Sequence, residues 1–301
     1  MSLRPKFRLR LPARTLVLGE KTLVMGVVNV TPDSFSDGGL YLATDAAVRH
    51  AIEMERAGAD IIDIGGESTR PGSLPTPIEV ELERVLPVAS ELRRRLRIPI
   101  SIDTRRAAVA EAAARAGAEI LNDTSCLRDD PGLAEAARRC RLAVILMHMR
   151  GRPETMQRSP FARDVWKDVR SGLAAAARGA LDAGIIRSRI LLDPGLGFGK
   201  SFPQNFELLA RLGELGRLGY PIVVGPSRKS FIGKALGGAP LLERTWGTAA
   251  AVTAAILGGA HIIRVHDVAE MAQVARVADE LLANSRQPAA ARRPRGGRGK
   301  G

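Results

Sequence analysis

The stretch MGVVNVTPDSFSDGG, residues 25–39, sets a pattern that the rest of the chain repeats. Met25, Val27, Val28 and Val30 form an apolar run with the β-branched content of a buried strand. The run stops abruptly. Asn29 and Thr31 are polar, Pro32 has no N–H for another ladder bond, and residues 33–39 are mostly Asp, Ser and Gly. A plain strand and surface turn accounts for Pro32 and the glycines. It does not account for the hydroxyls and carboxylates crowding the exit. A buried strand emptying into a polar loop is how a parallel barrel delivers chemistry to its rim.

Upstream, Phe7, Leu9 and Leu11 alternate with basic residues and Leu16–Val17–Leu18 follows, which predicts a hairpin ahead of the barrel. Downstream, strand and helix signals alternate. The first barrel strand covers about Leu23 to Val30, and a helix with Thr44 as N-cap runs to Ala57. Further strands are expected at residues 60–64, 98–102, 120–121, 142–147, 190–192, 222–224 and 262–265, with helices between them. The segments AGADIID (57–63), AGAEILN (116–122) and GAHIIR (259–264) share one grammar: a helix ends on Gly, a short apolar strand follows, then polar groups appear. Eight such units predict an α/β fold of the (β/α)8 TIM-barrel kind, with an N-terminal β-hairpin. The alternative, an open doubly wound sheet, lacks a G-x-G-x-x-G after its first strand. In a barrel the strand ends converge, which brings together Asn29, Asp63, Asp103, Asn122, His148, Asp193, Lys229, Arg264 and His266.

Composition fits one large barrel domain over residues 1–284. The 301 residues are 45% hydrophobic but only 4% aromatic. Cys126 and Cys140 are the only cysteines, which argues against a disulfide scaffold or a zinc site and suits a reducing, cytoplasmic setting. No run of about 18 apolar residues predicts a membrane span, and the basic N-terminus lacks the apolar core of a signal peptide. The formal charge of +13 suggests an anionic ligand. Part of it belongs to residues 285–301, a basic, low-complexity tail with no acid, which reads as disordered. A nucleic-acid site on these basic ends would be strongly salt-dependent; a solvated arm is the simpler reading.

In order, MGVVNVTPDSFSDGG, IIDIGGESTRPGS, SIDT, LND, LMHMRG, LLDPGLGFGK, GPSRKSFIG and RVHD resemble the motifs of dihydropteroate synthase, over about residues 24–268. The resemblance implies a (β/α)8 barrel that condenses 4-aminobenzoate with 6-hydroxymethyl-7,8-dihydropterin diphosphate, giving 7,8-dihydropteroate and pyrophosphate. It also implies a homodimer and Mg2+ on the diphosphate. Pterin-binding methyltransferases share the barrel and its Asp and Asn positions. They are disfavoured by S-R-K-S, S-T-R-P and R-V-H, which serve aminobenzoate and diphosphate. Pro226 and Cys126 depart from the pattern, where Ala and Gly are usual.

Residue by residue, the resemblance assigns the pterin to Asp103, Asn122, Asp193 and Lys229. A pterin edge carries amide and amidine N–H donors beside ring acceptors, which suit carboxylates, an amide and an ammonium. The diphosphate falls to Asn29, Thr69, Arg70, Arg264 and His266, with Asn29 also on the metal. Arg264 and His266 end the last strand, where phosphate sites commonly lie in barrels. Aminobenzoate falls to Phe35, Thr69, Pro71, Phe198, the stem of Lys229, and Ser230 at a helix start. Catalysis falls to Asp103, Lys229, Arg264 and His266. Pyrophosphate leaves first, the pterin cation is stabilised by acids such as Asp103, and the neutral aryl amine attacks. Singly, Asp103 could equally be the N-cap of the next helix.

Overall fold

The structure is a computed structural model, and it describes residues 4–30, 39–68, 73–151, 156 and 162–285, without the side chains of 39–42. Two strands, β1 (Phe7–Arg10) and β2 (Thr15–Leu18), form the expected antiparallel hairpin, with Leu9 opposite Leu16. The barrel strands are β3 (Leu23–Asn29), β4 (Ile61–Gly65), β5 (Ile100–Asp103), β6 (Ala118–Asp123), β7 (Ala143–Met147), β8 (Ile190–Asp193), β9 (Val223–Val224) and β10 (Ile262–Val265). They lie in the order β8-β7-β6-β5-β4-β3-β10-β9, and all are parallel. The seam between β8 and β9 closes on one parallel bridge, Leu192 to Ile222, reinforced by Leu192 N donating to Pro221 O at 3.0 Å. The helices are α1 (Gly39–Ala57), α2 (Ile78–Arg95), α3 (Ala107–Ala116), α4 (Leu133–Arg139), α5 (Val165–Asp182), α6 (Phe202–Ala210), α7 (Ser230–Ala235), α8 (Thr245–Leu257) and α9 (Val268–Asn284).

The repeated Gly grammar has a backbone cause. Gly58, Gly117 and Gly259 each follow a helix end with φ of 108°, 113° and 94°, a region closed to most side chains. Each turns the chain off its helix directly into the next strand. Thr44 does not cap a helix. The helix starts at Gly39, and residues 40–43 after it contain no breaker, so α1 places Thr44 inside it.

Alternation along the strands divides the molecule into layers. Residues of one parity, such as Val24, Val28, Ile62, Ile64, Leu121 and Leu192, pack outward against the helices. Those of the other parity fill the barrel. Met25, Ile61, Ile120, Ile145, Leu191 and Ile262 meet Leu9 and Leu18, so the hairpin plugs the lower end. At the plug, Phe7 lies edge-on to His261 with ring centroids 5.2 Å apart. Toward the other end the inward positions turn polar: Asp63, Asp103, Asn122, Asp193 and Arg264. The hydrophobic floor and the polar mouth are therefore one pattern read along each strand.

Candidate active site at the barrel mouth

The upper inward residues form a single hydrogen-bonded set. Arg264 Nε donates to Asp63 Oδ2 at 2.6 Å, and its Nη2 donates to Asp103 Oδ2 at 2.8 Å. Asn122 Nδ2 donates to the same Asp63 oxygen at 2.9 Å, which leaves its Oδ1 as the face open to a ligand. Asp63 is fully buried, and its Oδ1 has no partner among the described residues. The strand-end reading includes Asp63, but the resemblance gives it no part. Here it ties Asn122, which the resemblance assigns to the pterin, to Arg264, which it assigns to the diphosphate. The signal was present in IIDIGG: an acid at an inward position between isoleucines has to be paired.

Asp103 is not a helix cap. The residue that precedes α3 is Arg106, and it makes no side-chain cap. Burial holds the Asp103 carboxyl up to about 7 against the pull of Arg264, and Asp63 adds to the rise. Asp193, at the end of β8, accepts Gly195 N at 2.6 Å through Oδ1. Burial raises it to about 6, with the Gly195 N–H and Lys229 opposing. Lys229 lies between the two acids and Arg264. Burial and Arg264 draw its ammonium down to about 8, while Asp193 and Asp103 resist.

Phe198 joins this group. Lys229 Nζ stands 4.0 Å from the centre of its ring, within cation–π range. Phe198 is buried among Met147, Met149 and Met156, an apolar ledge at the rim. Ser230, next to Lys229 in sequence and the first residue of α7, is exposed. Phe35, Thr69, Arg70 and Pro71 lie outside the described residues, as does the tail from 286 onward.

His266 sits one residue past β10. Its backbone N–H donates to Ser227 Oγ at 3.2 Å, and its Nδ1 is 3.0 Å from the same oxygen. Ser227 is buried, so its hydroxyl hydrogen is best satisfied on Nδ1, leaving Nε2–H as the outward donor. Burial, then Arg264 and Arg228, push the imidazole down to about 3, so it acts as a neutral donor rather than a cation. His148 does not join the mouth. Met147 takes the inward position at the end of β7, and the next ring turns outward against Gly172 of α5, where an added Cβ would meet His148 Cδ2 at 2.7 Å. Strand parity already contained this result.

For a metal, the described residues hold no group of three His, Cys, Asp or Glu side chains. Mg2+ binds through few protein ligands and many phosphate oxygens, so this is compatible with a substrate-held ion. Beside Gly65, the side chains of Asn29 and Asp103 come close together. A Cβ there would lie 3.6 Å from Asn29 Oδ1 and 3.9 Å from Asp103 Oδ2. One amide oxygen beside a carboxylate suits such an ion.

The profile of a family described as pterin binding enzyme matches residues 25–266. A dihydropteroate synthase from Synechocystis sp. is 49% identical over 263 residues, covering 87% of this chain and 91% of the relative. Among solved structures, the Xanthomonas albilineans dihydropteroate synthase with 4-aminobenzoic acid superposes with a TM-score of 0.87 at 43% identity, covering 94% of this chain and 100% of that one. The Burkholderia cenocepacia enzyme complexed with 7,8-dihydropteroate gives 0.83 at 42% identity, with 94% and 99% covered.

Proposed function

The chain belongs to the dihydropteroate synthase family of pterin-binding enzymes, and we propose that its barrel mouth seats the two substrates on opposite sides of Lys229. The enzyme is a transferase. It joins 4-aminobenzoate to 6-hydroxymethyl-7,8-dihydropterin diphosphate, yielding 7,8-dihydropteroate and pyrophosphate. The observation that carries the proposed seating is the Asp63–Asn122–Arg264–Asp103 network with Asp193 and Lys229 beside it.

Asp193 and Asp103 accept the pterin's N–H groups, Asn122 presents its Oδ1, and Lys229 donates to the ring acceptors. The diphosphate lies toward Asn29, His266 Nε2–H and the Nη1 of Arg264, the one guanidinium nitrogen that neither Asp63 nor Asp103 occupies. Asn29 would hold a Mg2+ ion carried on the diphosphate, and that ion would supply charge compensation for the leaving pyrophosphate. The C–O bond to the diphosphate breaks, and the positive charge left on the pterin faces Asp103 and Asp193. The aryl amine, its ring against Phe198 and its carboxylate at Ser230, forms the new C–N bond and releases a proton. Thr69, Arg70, Pro71 and Phe35 complete this assignment. Pyrophosphate release measured with each substrate alone and with both tests the reaction. Release that is indifferent to 4-aminobenzoate would refute it.

The assembly is a homodimer through α8. Trp246 is 80% exposed and Leu242 74%, with Leu236 and Leu257 also at the surface. Trp246 and Leu257 lie on α8 while Leu236 and Leu242 precede it, and an exposed apolar patch of this kind marks an interaction surface. Trp246→Glu should convert the sedimenting species from dimer to monomer; an unchanged dimer would place the interface elsewhere. Free Cys126 and Cys140 suit the cytoplasm, and no helix among the described residues is long and apolar enough to cross a membrane.

A further inference from the structure

Lys200 is a buried lysine to which the proposed seating of the substrates gives no part. It is 4% exposed and closes the loop between β8 and α6. Its Nζ donates to Phe198 O at 2.9 Å and to His148 O at 3.1 Å, and it lies 3.3 Å from His148 Nδ1. Three acceptors surround it, and only the ammonium form carries three hydrogens. Its partners are two carbonyls and an imidazole, not a carboxylate. Enclosing a charge in this way is unfavourable: burial draws the ammonium down to about 7 although Asp193 and Asp168 oppose the fall. A group that weakens the fold and bonds only to backbone carbonyls and an imidazole is explained by what it holds in place.

What it holds is the loop carrying Phe198. Gly195 and Gly199 take φ of 65° and 63°, and the loop lies flat on the segment leaving β7. A Cβ at Gly195 would fall 2.0 Å from His148 O, and one at Gly199 would fall 2.3 Å from Arg150 O. Lys200 clamps this loop to the carbonyl it rests on, His148 O. It also grips the carbonyl of Phe198, whose N–H donates to Gly195 O at 3.2 Å. Both backbone groups of residue 198 are therefore fixed. Above them the ring meets Lys229 and the methionine ledge.

We propose that Lys200 is a positioning residue for the aminobenzoate subsite: it pegs the loop so that the Phe198 ring stays under Lys229 as one wall of the slot. This rests on the reading of Phe198 as that wall. The peg sets where the ring lies, not whether the pterin binds.

The test is a double-mutant cycle of Lys200→Met with Phe198→Ala, read as KM for each substrate. Phe198→Ala alone should raise the aminobenzoate KM about tenfold, with the pterin diphosphate KM within about twofold. Lys200→Met should produce the same split. Combined, the second change should add less than about twofold, because Lys200 acts through the ring. If Phe198→Ala leaves the aminobenzoate KM unchanged, the slot reading fails and the inference falls with it. If Phe198→Ala shows the split and Lys200→Met does not, the inference alone fails. Additive effects, or both KM values rising together under Lys200→Met, would mean general loosening and overturn it. Should the methionine variant not fold, Lys200→Gln keeps two donors and should show the same split at smaller size; no split in that variant also overturns the inference.

Discussion

Replacing Lys229 by methionine should make the protein more stable and less able to bind a pterin at the same time. The lysine is half-buried, and its ammonium is held at about 8 instead of 10.5. A depressed lysine destabilises the fold wherever it is charged: the penalty is absent above 10.5, grows as pH falls through the window between 10.5 and about 8, and is full below it. The gap corresponds to about 3 kcal/mol at pH 7, at ~1.4 kcal/mol per pH unit, before allowing for screening at the open mouth. Methionine removes that burden, keeps most of the stem, and gives up a cation–π contact worth ~0.5–2 kcal/mol. The net gain is about 1–2 kcal/mol, a melting temperature higher by roughly 2–6 °C. Pterin binding moves the other way. Losing a charged hydrogen bond costs about 1.5–3 kcal/mol, a tenfold to hundredfold weaker Kd. Lys229→Arg should not restore binding, because a broad planar fork does not replace a compact charge in a close slot. Thermal melts at pH 7 and pH 10, with calorimetry of the pterin alone, read both effects. The variant's stability should also rise less than the parent's between pH 8 and 10. A variant that melts lower at pH 7, or binds the pterin as before, would refute this account of Lys229.

Three further outcomes follow from the geometry. Asp193→Asn places an amide donor where the pterin presents donors, and should weaken pterin binding by about 1.5–3 kcal/mol while sparing aminobenzoate; calorimetry showing unchanged pterin affinity would remove Asp193 from the site. His261 is buried, accepts Ile222 N through Nδ1 at 3.0 Å and lies 2.9 Å from Pro5 O through Nε2, and burial lowers it to about 4 from 6.5. Its stabilising share is full above 6.5 and is lost as pH falls through about 4, so His261→Gln should flatten acid unfolding across that window by about 3 kcal/mol; an unchanged acid limb would contradict it. Gly195→Ala sets a Cβ 2.0 Å from His148 O at a φ of 65°. It should lower stability by about 2 kcal/mol or more and raise the aminobenzoate KM, and a neutral effect on both would mean the loop is not held as described.

Much of the site could be read from the sequence because the strand-end residues carry their own context. Asp103, Asn122 and Asp193 each follow an apolar run whose alternation dictates which way they face. The same alternation explains His148, one residue beyond inward-facing Met147 and therefore turned toward α5. Thr44 misled because a good capping residue says nothing about the helix-compatible residues before it. Lys200 and Ser227 were not legible as partners. Lys200 reaches His148 across 52 positions and Ser227 reaches His266 across 39, and no local pattern encodes such pairings. Asp63 was legible as a position but not as a hub, since its role depends on Arg264 folding back over it from the last strand.

The most direct test of the central claim is a crystal structure of the protein with 7,8-dihydropteroate bound. The account predicts the pterin edge against Asp103, Asn122 and Asp193, Lys229 between the pterin and the benzoyl ring, that ring on Phe198, and its carboxylate at Ser230. A product seated away from the barrel mouth, or a pterin edge facing none of those three side chains, would contradict it.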